Sequence, residues 1–263
     1  MLRFAEGIGR GVVRGVEEVG FAGALFAESL FWAFAGPARR QPVRLPAVFA
    51  QMMQIGIEAL PIATVLAATI GMMLAIQSLY SLGLFGAESF ATIGIALSVV
   101  REFAPLIIGI LIAGRSGSAL AARFSTMTIN QEVDALRVIG ISPVRFLVAP
   151  ALFAMMIMVP ALTMWANVVA LTAAGLMVTA SLEISLAAYH AEVLAALSVN
   201  DLAHGLGKSV LFAAVVALVS AVNGALADGG AEGVGRRTTR AVVQSIAAII
   251  VVDMIFAFVV TSG

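Results

Sequence analysis

Apolar residues run along this chain in long blocks, broken by short polar segments. Five blocks, at approximately 55–81, 90–114, 146–178, 203–227 and 241–262, are predominantly apolar and long enough to cross a bilayer as helices, which takes roughly 20 residues. The third is overlong, and Pro160 inside it marks a place for a tilt or a break. Ahead of these blocks, Arg3, Arg10, Arg14 and Glu17 recur at helical spacing opposite Phe4, Ile8, Val12 and Val19. That is the pattern of an amphipathic helix lying in the interface. The next run, "FAGALFAESLFWAFAG", is short and carries Glu28, so it is expected to enter the membrane without crossing. "AFAG" imitates a signal-peptidase site, but the mixed-charge segment before the apolar run is unlike the short basic start of a signal peptide. The Pro-rich "GPARRQPVRLP" then forms an elbow into the first span. The expected organisation is an N-terminal interfacial helix and elbow, 1–45, followed by a five-span domain, 46–263.

Composition agrees with an all-α membrane protein. Of 263 residues, 61% are hydrophobic and 11% charged, against about a quarter charged in a soluble domain. There is no cysteine, which excludes disulfides and Cys-based metal sites. The net charge is zero, so no nucleic-acid partner is expected. Between the spans the basic residues fall on one side only. Arg39, Arg40 and Arg44 precede the first; Arg115, Arg123, Arg137 and Arg145 lie between the second and third; Arg236, Arg237 and Arg240 lie between the fourth and fifth. The segments 82–89 and 179–202 and the C-terminal tail hold no Lys or Arg. By the positive-inside rule the N-terminus is expected in the cytoplasm and the C-terminus outside, which an odd number of spans satisfies.

Four charged residues lie deep within the spans: Arg101, Glu102, Lys208 and Asp253. Charges at such depth are costly, and mark a pathway or a buried pair. Their signs balance, so two structural ion pairs are one reading and a polar lining in an apolar cavity is the other. Arg101 and Glu102 are neighbours, about 100° apart on a helix, and should not share one partner. At about 1.5 Å per residue, Glu102 lies roughly 18 Å from the outer end of its helix and Lys208 roughly 8–10 Å from its own. Around Lys208, "HGLGKSVLF" contains most of a phosphate-cradling loop, but position 202 is Leu where that loop needs Gly, and helix and turn rather than a strand precede it. The "GRSG" at 114–117 has the form used by rhomboid proteases, yet His190 and His204 belong to the outer side and Ser116 to the cytoplasmic end of its span, about 30 Å apart. A channel or proton-coupled carrier with the four charges as a relay is a further alternative.

The segment between the second and third spans carries "TMTINQEVDALRVIGISP". Thr128 with Gln131 three residues on has the form of a capping box, so a helix is expected to start near Ile129. Ile129, Val133 and Leu136 share one face, Asn130, Asp134 and Arg137 the other, and Gly140 then Pro143 end it. Lying on the lipid headgroups or meeting a soluble partner would both suit such a helix.

"IGMMLAIQ" (70–77), "SVVREFAPLIIGILIAGRSGSALAA" (98–122), "MTINQEVDALRVIGISPVRFLVAP" (127–150), "GKSVLF" (207–212) and "GVGRRTTRAVVQS" (233–245) together make the chain resemble the MlaE/YrbE permeases. These are the membrane subunits of ABC transporters that move phospholipids and other lipids with MCE proteins. The resemblance implies five spans, an N-terminal interfacial helix, a homodimer, and a place in the bacterial inner membrane. Implied partners are a cytoplasmic ABC ATPase that holds the ATP and Mg, this chain holding no cofactor; an MCE-domain periplasmic protein; a small cytoplasmic accessory subunit; and phospholipid as cargo. It also implies that helix 128–139 couples to the ATPase through Gln131, Glu132, Asp134, Leu136 and Arg137. Leu74, Gln77, Ser78, Ser81, Leu82 and Phe85 would line a lipid cavity with Glu102 and Lys208, while Arg101 and Asp253 match charges in the same bundle. Arg123 departs from the family, which commonly has an acidic residue there, so ATPase docking is expected to differ in detail.

Overall fold

The computed structural model describes the backbone of residues 2–36 and 41–262, and the side chains of residue 13, residues 15–36 and residues 41–259. The described residues contain helices and no strand. In chain order they are α1 (Leu2–Ala35), α2 (Leu45–Ile55), α3 (Leu60–Gly83), α4 (Ala91–Ser98), α5 (Ala104–Ile112), α6 (Ser118–Ile129), α7 (Glu132–Val138), α8 (Ala149–Leu182), α9 (Leu186–Ala196), α10 (Val199–Ala225) and α11 (Gly230–Ser262). Three single π-helical turns, Val99–Phe103, Ala113–Gly117 and Val144–Val148, join α4 to α5, join α5 to α6 and lead into α8. Each adds a residue to the local repeat, which rotates the following face.

Among the described residues six stretches are long and apolar enough to cross a membrane: Gly15–Ala35, Leu45–Gly83, Glu88–Ile129, Val144–Leu182, Val199–Ala225 and Gly230–Val259. Five coincide over most of their length with the expected spans. The sixth arises because α1 runs unbroken from the interfacial segment through "FAGALFAESLFWAFAG". Glu28 in this stretch is satisfied locally: its Oε1 accepts from Trp32 Nε1 at 3.1 Å and from Ser142 Oγ at 2.8 Å. The face expected from Arg3, Phe4, Ile8, Arg10, Val12 and Arg14 involves side chains outside the described residues, as do Arg39 and Arg40 of the elbow. Of the tilt or break expected near Pro160, the break does not occur; α8 is one 34-residue helix with the proline inside it, about 51 Å long at 1.5 Å per residue.

The chain divides into two compact units. The first comprises 1–51, 113–154 and 214–245, and the second 52–112, 155–213 and 246–263. Small residues allow close helix packing in both, as is common where apolar lipid offers no hydrophobic driving force between helices. In the second unit a Cβ at Gly71 would run into the Ala170 backbone, and one at Gly205 into the Val100 carbonyl. A Cβ at Gly109 would lie 3.0 Å from the Phe212 ring. The first unit has the same device at Gly224, against Phe124. Also in the first unit, Glu18 fastens α1 to α11. Its Oε1 pairs with Arg240 Nη2 at 2.5 Å and its Oε2 accepts from Gln244 Nε2 at 3.0 Å. Gln244 Oε1 in turn accepts from Asn223 Nδ2 of α10 at 2.7 Å.

Candidate functional site

In the second unit the π-turn at Val99–Phe103 carries Arg101 and Glu102. Such bulges recur at functional positions because the local unwinding re-aims side chains. The two neighbours find different partners. Arg101 donates from Nε to Asp201 Oδ1 at 2.5 Å and also pairs with that oxygen through Nη2. Glu102 Oε2 pairs with Lys208 Nζ, which also lies 2.9 Å from Asp253 Oδ1. The second contact is a charge contact only, since Asp253 Oδ1 lacks hydrogen-bond geometry to any described partner. Lys208 Nζ stands 5.9 Å from the centre of the Phe256 ring, on which His204 stacks at 5.0 Å.

Asp201 is the member that sequence reasoning missed, because the fourth span was expected to begin at 203. The signal was present in "SVND". Ser198 and Asp201 form the reciprocal capping box that starts α10: Asp201 Oδ2 accepts from Ser198 N and Oγ at 2.7 Å each, and Asp201 N donates to Ser198 Oγ at 3.3 Å. Starting at Val199, the helix carries Lys208 about 14 Å from its end rather than 8–10 Å. That brings it to the level of Glu102.

Burial separates the roles of these charges. The side chains of Lys208 and Asp201 are 0% and 4% exposed, whereas those of Glu102 and Arg101 are 42% and 48% exposed. Each accessible charge is thus backed by a buried opposite charge. Removing a buried partner would leave an uncompensated charge in apolar surroundings, a large penalty.

Leu74, Gln77, Ser78, Ser81 and Leu82 lie along the last turns of α3, with Phe85 just beyond its end. They fall at helical i, i+3, i+4, i+7 spacing on one side, and Gln77 Nε2 donates to Ser81 Oγ at 3.3 Å. Phe85 is 83% exposed. Among the described residues none of the six hydrogen-bonds to or pairs with Glu102 or Lys208.

The helix expected between the second and third spans differs from its expected form. α6 continues through Ile129, Gln131 turns left-handed at φ 61°, and α7 begins at Glu132 without a side-chain cap. The Thr128–Gln131 capping box is therefore not made; a backbone turn, Gln131 N to Thr128 O at 3.0 Å, takes its place. The C-terminus is as read. Gly140 sits at φ 80°, its N–H donates to Arg137 O and that of Ile141 to Leu136 O, a Schellman motif. Gln131, Glu132, Asp134 and Arg137 are exposed, and Leu136 and Val133 half-buried. Asp134 and Arg137 pair at 3.0 Å. Beside them Val138 and Ile139, absent from the expected contact set, are 87% and 67% exposed. An apolar tip next to a charged face is a surface suited to a protein partner.

Ser116 Oγ is buried and has no hydrogen-bond partner among the described residues, so no histidine base serves it. His190 Nδ1 instead lies 2.9 Å from Leu186 O.

The family described as Permease MlaE matches residues 48–259. A probable ABC transporter permease protein of Rickettsia felis is 31% identical over 246 residues, 93% of each chain. One from Synechocystis is 35% identical over 216 residues, 81% of each. The intermembrane phospholipid transport system permease protein MlaE of Haemophilus influenzae is 27% identical over 256 residues, covering 97% of this chain and 96% of that one.

Proposed function

Because the chain belongs to the MlaE permease family, we propose that it is the membrane subunit of an ATP-driven transporter that moves phospholipids between membranes. It works as a homodimer in a bacterial inner membrane, N-terminus in the cytoplasm and C-terminus in the periplasm. A separate cytoplasmic ATPase holds ATP and Mg, and an MCE-domain protein and a small accessory subunit complete the assembly. The chain itself catalyses no covalent step. Its name-bearing relative in Haemophilus influenzae, an intermembrane phospholipid transport permease, supports the choice of cargo.

The observation that carries the reading is the half-exposed pair Arg101 and Glu102, each held from behind by a buried counter-charge, in helices that are otherwise apolar. A phospholipid needs an apolar cleft with a few polar groups at one level. The α3 stripe of Leu74, Gln77, Ser78, Ser81, Leu82 and Phe85 supplies surface for the chains. Arg101 and Glu102 meet the headgroup, while Lys208 and Asp253 set the field behind them. α7 passes the ATPase's motion to the bundle through Gln131, Glu132, Asp134, Leu136 and Arg137.

The test is reconstitution with the ATPase in proteoliposomes and measurement of labelled-phospholipid transfer. ATP-dependent transfer is expected, and Glu132→Lys with Asp134→Lys should cut ATPase co-purification severalfold while the permease still inserts. A stand-alone carrier using the charges as a proton relay remains the second reading, favoured by the contiguous Glu102–Lys208–Asp253 contacts. Transfer driven by a pH gradient without ATP, with the double variant indifferent, would select it.

A further inference from the structure

Glu28 is a charge that the sequence singles out and the transport reading leaves without a task. It is the one ionisable residue within "FAGALFAESLFWAFAG", and a charge in an apolar run marks a functional contact by default. Its Oε1 accepts from two donors on different elements, Trp32 Nε1 one turn along α1 and Ser142 Oγ in the segment after α7. Two further contacts close a ring. Ser142 Oγ accepts from Arg145 N–H at 3.4 Å, and the Arg145 guanidinium stands 5.4 Å from the centre of the Trp32 ring. Two residues of α1 thus grip two residues of the 142–145 segment, by a hydrogen bond on one side and a cation–π contact on the other.

The gripped segment begins two residues beyond Gly140, whose φ of 80° ends α7, and runs into the π-turn Val144–Val148. A cavity of about 370 Å³ is lined by Phe21, Leu25 and Glu28 of α1 and by Val133, Asp134 and Arg137 of α7. Part of the inner face of α7 therefore looks onto open space, which leaves more of its placement to its ends. The base of the grip is braced, because Glu18 ties α1 to Arg240 and Gln244 of α11. We propose that Glu28 and Trp32 are positioning residues, which clamp the segment after α7 to α1 and so fix the angle at which α7 meets the ATPase. The clamp is a matter of this chain alone; its part in coupling rests on the reading of α7 as the ATPase contact.

Hydrogen exchange on the full-length permease in detergent tests the clamp. Glu28→Ala should speed exchange of the Ile139, Gly140 and Ile141 amides about fivefold, the fold-change expected for one lost hydrogen bond, while the amides of α8 stay as in wild type. Glu28→Gln keeps the accepting oxygen and should match wild type. If Glu28→Ala does not fold, Ser142→Ala removes the same hydrogen bond from the other side. Exchange in the Ala variants equal to wild type, or equally fast in Glu28→Gln, would overturn the clamp. Lipid transferred per ATP hydrolysed, in proteoliposomes with the ATPase, tests the coupling. Glu28→Ala and Ser142→Ala should each lower that ratio about fivefold, and together no further, because they remove one shared contact. In this cysteine-free chain, Glu28→Cys with Ser142→Cys should regain the ratio when bridged by a short bis-methanethiosulfonate and lose it again with reductant. Faster exchange with an unchanged ratio, or a ratio that bridging does not restore, would overturn the part in coupling. A wild type that hydrolyses ATP without moving lipid would sink the transport reading, and the exchange measurement would still decide the clamp.

Discussion

Lys208 shows how burial redefines a residue. In "HGLGKSVLF" it resembles a phosphate ligand, and by depth alone a headgroup contact; in the fold it is a counter-ion at 0% exposure between two carboxylates. Lys208→Met should leave Glu102 and Asp253 uncompensated and destabilise the protein by about 3 kcal/mol, the low end for a broken buried pair because Glu102 is partly exposed. The thermal midpoint in detergent reads this out. Adding Glu102→Gln and Asp253→Asn should restore most of the loss, and no recovery would remove the counter-ion role. Tyr189 of α9 is a second case. It is fully buried, and its hydroxyl has no hydrogen-bond partner among the described residues. Burial first, and Glu192 second, push its pKa from 10.0 up to about 12. Between those values the unfolded chain releases the proton and the folded chain keeps it, so stability is constant below about pH 10 and falls as pH rises towards 12. Tyr189→Phe should abolish that fall. It should also stabilise by about 1 kcal/mol at neutral pH by removing an unsatisfied polar atom; a loss of stability instead would mean that the hydroxyl has a partner.

At the scale of elements, the glycines of α10 sort by what they face. Gly205 lies against the Val100 carbonyl, while Gly207 has only the Phe256 ring at 3.6 Å, an ordinary contact. Gly205→Ala should therefore cost about 1–3 kcal/mol by forcing helices apart. Gly207→Ala should be neutral or stabilise by up to about 1 kcal/mol through helix propensity. Paired thermal melts compare the two, and equal effects would show that the close approach at Gly205 carries no weight. The same position matters to the charge cluster, because Val100 and Arg101 lie in the π-turn that aims Arg101 at Asp201. The turn itself is illegible in sequence: nothing in "SVVREF" distinguishes a π-turn from a plain one, and only the tertiary pairing of Arg101 and Glu102 shows what it is for.

At the scale of the whole molecule, length and composition admit six crossings and the alternation of basic residues admits five. The chain lacks cysteine, so single introduced thiols report sidedness without background. Val13→Cys, Arg137→Cys and Glu183→Cys in intact cells should decide the count. With five crossings, Val13 and Arg137 are both shielded from a membrane-impermeant maleimide and Glu183 is labelled. With six, Val13 is labelled together with Glu183. The first outcome is expected, because it keeps Arg3, Arg10 and Arg14 on the same side as the arginines that flank the other crossings.

Hydropathy and charge alternation made the all-helical membrane class, five of the six long apolar helices and the Schellman end of α7 readable in advance. All three are set by residues near one another in sequence: about 20 apolar positions, arginines flanking them, a Gly after a helical turn. Sequence also found Arg101, Glu102, Lys208 and Asp253, since a charge inside an apolar block stands out wherever its partner lies. Only the tertiary structure decided that Asp201 completes the set, that Lys208 is sealed while Arg101 and Glu102 are open, and that Glu28 of α1 reaches Ser142. These depend on helix register and on contacts between segments 100 to 114 residues apart, where a shift of one residue turns a helical side chain by about 100°, and no local pattern encodes that rotation.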